Sequence, residues 1–204
     1  MFETLISFSI ATMALAFMPG PDNIYVLTQS LAYGAKSGIA VTAGLISGCI
    51  VHTSLLAFGL SAIITTSPAL FYGIKILGGC YLMYLAFKVY KSESTIALTQ
   101  NNTKKSYGKL FKTGVIMNLI NPKVMIFFLA FFPGFLWNTH ENTVLQFYVL
   151  GITFMGISFI IFSLIAVAAG KISKLLTTWK NMGLFLKWLQ IIVFVGIAIF
   201  ILIP

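Results

Sequence analysis

The most distinctive chemistry in this sequence is a carboxylate beside two prolines, within an otherwise apolar segment at about residues 5–27. The segment contains the run Pro19, Gly20, Pro21, Asp22 and Asn23. The prolines remove two backbone donors and clash with the preceding turn, so a helix must kink or unwind there. Beside this break, the Asp22 carboxylate is suited to bind an ammonium group or a proton. The alternative is an aspartate at the segment boundary that reaches water.

A second polar cluster interrupts another apolar segment, at about residues 110–137. Its members are Asn118, Asn121, Pro122 and Lys123. If this segment spans a membrane, Lys123 lies too deep to reach water fully, so its ammonium group needs an anion or a wet pocket. That group suits the carboxylate of a small substrate. Plain structural pairing is the alternative.

The composition places both clusters in a membrane protein. Hydrophobic residues make up 59% of the 204 residues and charged residues only 8%, and the mean hydropathy is +0.99. A soluble domain carries roughly a quarter charged residues, so this chain has too little polar surface to face water. The net charge of +9 would fit nucleic acid only on a contiguous basic face. Here the lysines lie between apolar runs, so the expected surroundings are lipid and no nucleic-acid partner is expected.

The apolar runs predict an all-α membrane protein with six transmembrane helices. About 20 apolar residues cross the hydrocarbon core as a helix, and the absence of period-2 alternation argues against a barrel. The predicted spans are about 5–27, 38–64, 69–88, 110–137, 142–170 and 183–203. The first lacks the basic n-region of a signal peptide and is expected to be retained. We therefore predict a single transmembrane domain, 1–204, with half-repeats at about 1–90 and 108–204 joined by a polar cytoplasmic loop at 89–107.

The lysines predict the orientation of the spans. With the N-terminus outside, eleven of the thirteen lysines fall in cytoplasmic segments and none in the outer segments; the other two, Lys75 and Lys123, fall within spans. The eleven are Lys36, Lys88, Lys91, Lys104, Lys105, Lys109, Lys112, Lys171, Lys174, Lys180 and Lys187. By the positive-inside rule, the large basic loops are cytoplasmic and both termini are outside.

A weak internal repeat predicts that the two halves are related. Residues 15–21 (LAFMPGP) match 129–135 (LAFFPGF) at five of seven positions, an offset of 114 that also relates the later spans. Two halves of three spans must be inverted, with broken helices one and four, which is a recognised plan of secondary transporters. On this plan Gly20, Pro133 and Gly134 are candidate hinges of an inner and an outer gate. Chance similarity between apolar, Phe-rich segments is the alternative.

Together these features resemble the LysE/RhtB family of bacterial amino-acid exporters. The resemblance rests on PGPDN followed by a glycine-rich second span, and on NPK leading into FFLAFFPGF, and it covers essentially the full length. It implies export of amino acids or related metabolites across the plasma (inner) membrane, driven by an ion gradient, with protons as the expected coupling ion. No cofactor or metal is implied. Many members end in a basic, Arg-containing tail, whereas this chain ends at Ile203-Pro204.

The mechanism expected from these residues is alternating access. Asn118, Asn121 and the unwound backbone at Pro19 to Asn23 would bind a zwitterion, with Lys123 attracting its carboxylate and Asp22 its ammonium group or the coupling proton. His52 is a second candidate proton relay, although a hydrogen-bonded packing histidine is an equally good interpretation. A homodimer is compatible with the sequence.

Two other classes of function stay open at this level. Cys49 and Cys80 would serve a transmembrane thiol or electron carrier, but we expect both to be small buried residues away from the two proline-containing breaks. An ion channel is the other alternative. The sequence contains no Ser-His-Asp arrangement, HExxH or phosphate-binding loop, so an enzyme is not expected.

Overall fold

The computed structural model describes residues 1–92, 105–139, 141–178 and 181–202, and these contain helices without any strand. Most of the predicted loop at 89–107 lies outside the described residues. The helices are α1 (Phe2–Phe17), α2 (Pro21–Tyr33), α3 (Ala35–Leu55), α4 (Ser61–Thr66), α5 (Pro68–Lys91), α6 (Tyr107–Ile120), α7 (Pro122–Phe131), α8 (Thr143–Val167), α9 (Ala169–Thr178) and α10 (Met182–Leu202). A π-helical turn, Leu56–Leu60, joins α3 to α4, and a 3₁₀ turn, Phe132–Phe135, follows α7.

Within the described ranges, four continuous helices are long and apolar enough to cross a membrane, and two bent pairs bring the number up to six if each is one span. The continuous ones are Ala35–Ile64, Ala69–Lys91, Thr143–Val167 and Met182–Leu202. The pair α1 and α2 bends by 58°, and the pair formed by α6 with Pro122–Phe135 bends by 56°. The all-helical prediction is confirmed, and six spans in an inverted repeat stay a prediction.

Prolines determine where both breaks lie. Pro21 and Pro122 each occupy the first position of the helix that follows a break. The backbone N–H at this position has no intrahelical acceptor, so its absence in proline costs no hydrogen bond. Met18 and Gly20 are extended, and Asn121 is the extended residue of the second break. The sequence prediction of broken first and fourth helices therefore matches the two bends.

The offset of 114 does not align these breaks. It pairs Pro19-Gly20 with Pro133-Gly134, but those residues lie in the 3₁₀ turn after α7, with Pro133 buried. Pro122 instead follows Pro21 by 101 residues. The two similar sequences therefore lie at different places in the structure, one at a break within a segment and the other at the end of a helix. The candidate hinges at Gly20, Pro133 and Gly134 remain predictions.

Close contact of α3 with α6 brings the second break towards the first. A Cβ atom on Gly44 would overlap the Phe111 carbonyl oxygen, and one on Gly114 would overlap the Val41 carbonyl oxygen. Only glycine lets the two backbones approach this closely, as in other membrane helix pairs. α3 also packs against α2 and α8, so it is the common support of both broken pairs.

The outer surface of the bundle is apolar, while phenylalanines fill its interior. Exposed side chains include Leu77 at 72%, Ile120 at 73% and Ile192 at 65% exposure, as expected for a surface that faces lipid. Cys80 is also exposed, so our expectation that it is buried is wrong. The interior cluster joins α1 to α7 and the 3₁₀ turn through stacked, edge-on and tilted contacts among the rings of Phe8, Phe127, Phe128, Phe131, Phe132 and Phe135.

Candidate functional site

A cavity of about 70 Å³ lies where the two broken helix pairs meet. Seven of the residues singled out by the sequence line it: Gly20, Pro21, Asp22, Asn23, Asn118, Asn121 and Lys123. Residues around 100 positions apart in the chain therefore share one chamber. Its remaining walls are mainly apolar and come from α1, α3, α7 and α8.

Asn121 connects the two breaks. Its Nδ2 donates to Asp22 Oδ2 at 3.1 Å, so the second break is bonded to the first turn of α2. Its Oδ1 accepts from the backbone N–H of Lys123, also at 3.1 Å, and so caps the start of α7. One amide side chain thereby holds the carboxylate and fixes the backbone that carries the lysine.

Lys123 supplies the positive charge of the chamber. Its Nζ lies 5.1 Å from the centroid of the Phe194 ring, a cation–π arrangement that stabilises an ammonium group in apolar surroundings. A Cβ atom on Gly20 would lie 3.4 Å from Nζ, so the lysine reaches back to the first break. Lys123 and Asp22 interact electrostatically without a direct ion pair between these two described residues. Among the described residues that line the chamber, there is thus one cation, Lys123, and one anion, Asp22.

Asn118 links the chamber to α3. Its Nδ2 donates to Cys49 Sγ at 3.4 Å, and its backbone carbonyl lies 3.4 Å from His52 Nε2. Cys49 lines the chamber, which corrects our expectation that both cysteines lie away from the breaks. His52 does not line it, and its ring packs 5.4 Å from that of Phe128. The packing interpretation of His52 therefore has direct structural support.

Three buried oxygens of lining residues have no hydrogen-bond partner among the described residues. They are Asp22 Oδ1, Asn118 Oδ1 and Ser158 Oγ. Leaving a buried polar group unsatisfied costs about 1–3 kcal/mol, so a guest with polar groups would be stabilised here. Ser158 on α8 was not identified from the sequence, because a single serine in an apolar helix carries no motif.

The other predicted residues lie outside this chamber. Pro122 starts α7 without lining the cavity, and Pro133 and Gly134 lie beyond the far end of that helix. Pro19 lines a separate apolar groove of about 440 Å³. Among the described residues, no group of three or more His, Cys, Asp or Glu side chains is placed to hold a metal ion.

Comparisons with known proteins agree with this architecture. A family model described as LysE type translocator matches residues 13–204. The leucine efflux protein of Salmonella choleraesuis is 28% identical over 193 residues, covering 94% of this chain and 91% of that protein. The homoserine/homoserine lactone efflux protein of Salmonella typhimurium is 28% identical over 181 residues, covering 89% and 87%. No solved structure matches.

Proposed function

Because the chain belongs to the LysE type translocator family, we propose that it is a secondary exporter of a neutral amino acid or a closely related metabolite. A translocator is a transporter and not an enzyme. The relatives described above are named for the efflux of leucine and of homoserine or its lactone. Leucine and homoserine both have an uncharged side chain, so each is a zwitterion of zero net charge.

The observation that carries this proposal is the match between the chamber and a zwitterion. An α-ammonium group has three donors, and Asp22 Oδ1 and Asn118 Oδ1 are buried acceptors without a partner in the part of the chain that the structure describes. An α-carboxylate needs donors, which Lys123 Nζ and the Ser158 hydroxyl provide. The charges of Asp22 and Lys123 already cancel, so a guest of zero net charge leaves the buried site neutral.

The coupling step in this mechanism is a proton carried by Asp22. Its Oδ2 is held by Asn121, whereas its Oδ1 is free to accept a proton or the substrate ammonium group. Competition between the two ligands for one oxygen gives an exchange, since a proton entering from outside displaces the bound ammonium group. His52 remains a candidate relay, with Asn118 lying between it and the chamber.

Alternating access would use the two breaks as moving parts. The extended backbone at Met18 to Gly20 and at Asn121 lacks regular helical bonds, so bending there disrupts little. The proposed hinges are Gly20, at the first break, and Pro133 with Gly134, which lie in the 3₁₀ turn beyond the far end of α7 and not at the second break. The lysine distribution supports cytoplasmic basic loops, external termini and location in the bacterial inner membrane. The exposed apolar faces would contact lipid or a second copy of the chain.

Efflux from preloaded vesicles tests the residue assignment. We expect Asp22→Asn and Lys123→Met each to abolish gradient-driven efflux, because each removes one charge of the site. Lys75→Met and Glu141→Gln are matched controls, since they remove a lysine of α5 and an exposed acidic residue away from the chamber. Wild-type efflux in both Asp22→Asn and Lys123→Met would refute the assignment.

The channel and thiol-carrier alternatives make different predictions for the same vesicles. A carrier gives efflux that saturates with substrate and depends on the gradient, whereas a channel gives flux that rises linearly. The contact between Cys49 and Asn118 is the observation that favours a thiol carrier. Efflux that survives Cys49→Ser combined with Cys80→Ser would dismiss it.

A further inference from the structure

The segment that breaks the first helix pair separates the polar chamber from the apolar groove. Met18 and Gly20 line the chamber, while Phe17 and Pro19 line the groove. The alternation follows from the extended backbone at Met18 and Gly20, because successive residues of an extended chain face opposite sides. Residues 17–20 therefore form a partition one chain thick between the two compartments.

Asn23 is the residue that lines both compartments and fastens the partition. It lines the chamber and the groove, and its Nδ2 donates to the Ala16 carbonyl at 2.8 Å. In an unbroken helix that carbonyl would accept from the N–H of Gly20. The side-chain amide thus replaces a backbone bond lost at the break and ties the start of α2 to the end of α1.

The sizes of the two compartments are complementary. A cavity of about 150 Å³ holds one benzene molecule, so the chamber of about 70 Å³ has room for a charged head group but not for a leucine-sized side chain. The groove is about 440 Å³ and is lined almost wholly by apolar side chains. They are Phe17, Pro19, Ile24, Leu27, Ile165, Ile172, Leu175, Met182, Phe185, Leu186 and Leu189, with Asn23 as the polar exception.

Resting on the proposed function, we propose that the groove is the side-chain compartment of the loading state and that Asn23 is the positioning residue that latches the partition. When the Asn23–Ala16 bond opens, residues 17–20 move and the two compartments join. A neutral amino acid then binds with its head group in the chamber and its large apolar side chain in the groove. Lys171, Lys174 and Lys187 are each the sequence neighbour of a groove residue, and the positive-inside rule assigns them to the cytoplasmic side, from which an exporter must load.

Filling the groove tests the compartment. In vesicles we expect Leu175→Trp and Leu189→Trp to lower the ratio of leucine to alanine efflux about tenfold, since alanine needs little of the groove. Leu175 is 50% exposed, so the larger ring fits without overpacking the bundle. Leu164→Trp is the matched control, because Leu164 is 57% exposed and lies outside the groove.

Different results would overturn the groove assignment and the proposed function. An unchanged leucine-to-alanine ratio in both groove variants overturns the groove assignment, and a lipid chain would then be its occupant. If Asp22→Asn still abolishes efflux, the proposed function survives that result. Wild-type efflux in Asp22→Asn and Lys123→Met would instead overturn the proposed function itself.

Thiol labelling tests the latch. In a Cys80→Ser background, Cys49 reports access to the chamber, because it is buried and lines that cavity. We expect Asn23→Leu to raise its labelling rate about fivefold, the change that loss of about 1 kcal/mol of hydrogen bonding gives, and leucine to slow it again. Ser9→Ala is the control, since it removes a similar bond to a carbonyl within α1, at 2.7 Å. Wild-type labelling in Asn23→Leu, or labelling that leucine does not slow, would overturn the latch.

Discussion

The bond between Asn121 and Asp22 joins the two broken helix pairs, and a double-mutant cycle measures its strength. The perturbations are Asp22→Ala, Asn121→Ala and the combination. Asn121→Ala alone removes both the 3.1 Å bond to Asp22 and the cap on the Lys123 N–H. The cap is worth about 1 kcal/mol, and a hydrogen bond to a charged group about 1.5–3 kcal/mol. We therefore expect Asn121→Ala to lower the free energy of unfolding by roughly 2.5–4 kcal/mol.

The cycle separates these two contributions. The cap is lost in Asn121→Ala whether or not Asp22 is present, so it cancels, and the coupling energy contains only the bond across the breaks. The assay is reversible unfolding in mixed micelles, with vesicle efflux measured in parallel. A coupling of roughly 1.5–3 kcal/mol is expected. Coupling below about 0.5 kcal/mol, the scatter for independent sites, would refute the idea that Asn121 holds the two breaks together.

Three further predictions concern single residues. Gly44→Ala should destabilise the protein by about 1–3 kcal/mol, because its Cβ meets the rigid Phe111 backbone. Gly156→Ala is the control and should leave the stability unchanged, because the space around its Cβ is open. Equal unfolding free energies for the two variants would contradict the close packing of α3 and α6. Ser158→Ala should raise the KM for efflux about fivefold, the effect of losing about 1 kcal/mol of hydrogen bonding to the substrate. The free energy of unfolding should be unchanged or higher. An unchanged KM would show that Ser158 does not contact the substrate. Cys49→Ser should retain efflux, since a hydroxyl also accepts from Asn118 Nδ2, and lost efflux would favour thiol chemistry.

The sequence was informative wherever covalent geometry decides the structure. Proline cannot continue a helix from within, so Pro21 and Pro122 predicted both breaks. Charges that are unfavourable in lipid predicted that Asp22 and Lys123 need polar partners. The structure places both in one chamber, which follows from the close packing of α3 with α6.

Features that depend on three-dimensional packing were not predictable. Which side chain bonds to Asp22 depends on how the two broken pairs dock, so the role of Asn121 in bridging them had no signal in the sequence. Cys49 was expected away from the breaks because the order of the spans in the sequence does not show that α3 packs against α6. The offset of 114 aligned a break with a helix end. Such a match arises easily, because phenylalanine, leucine and alanine recur in any apolar segment of this composition.

Ligand selectivity tests directly whether Asp22 and Lys123 together bind a zwitterion in one chamber. The measurement is equilibrium binding of leucine and of 3-methylbutylamine, which lacks only the carboxylate, to the purified wild type and to Lys123→Met. The wild type should bind leucine more tightly than the amine, and Lys123→Met should lose that preference. A preference for leucine that persists unchanged in Lys123→Met would show that Lys123 does not bind the substrate carboxylate.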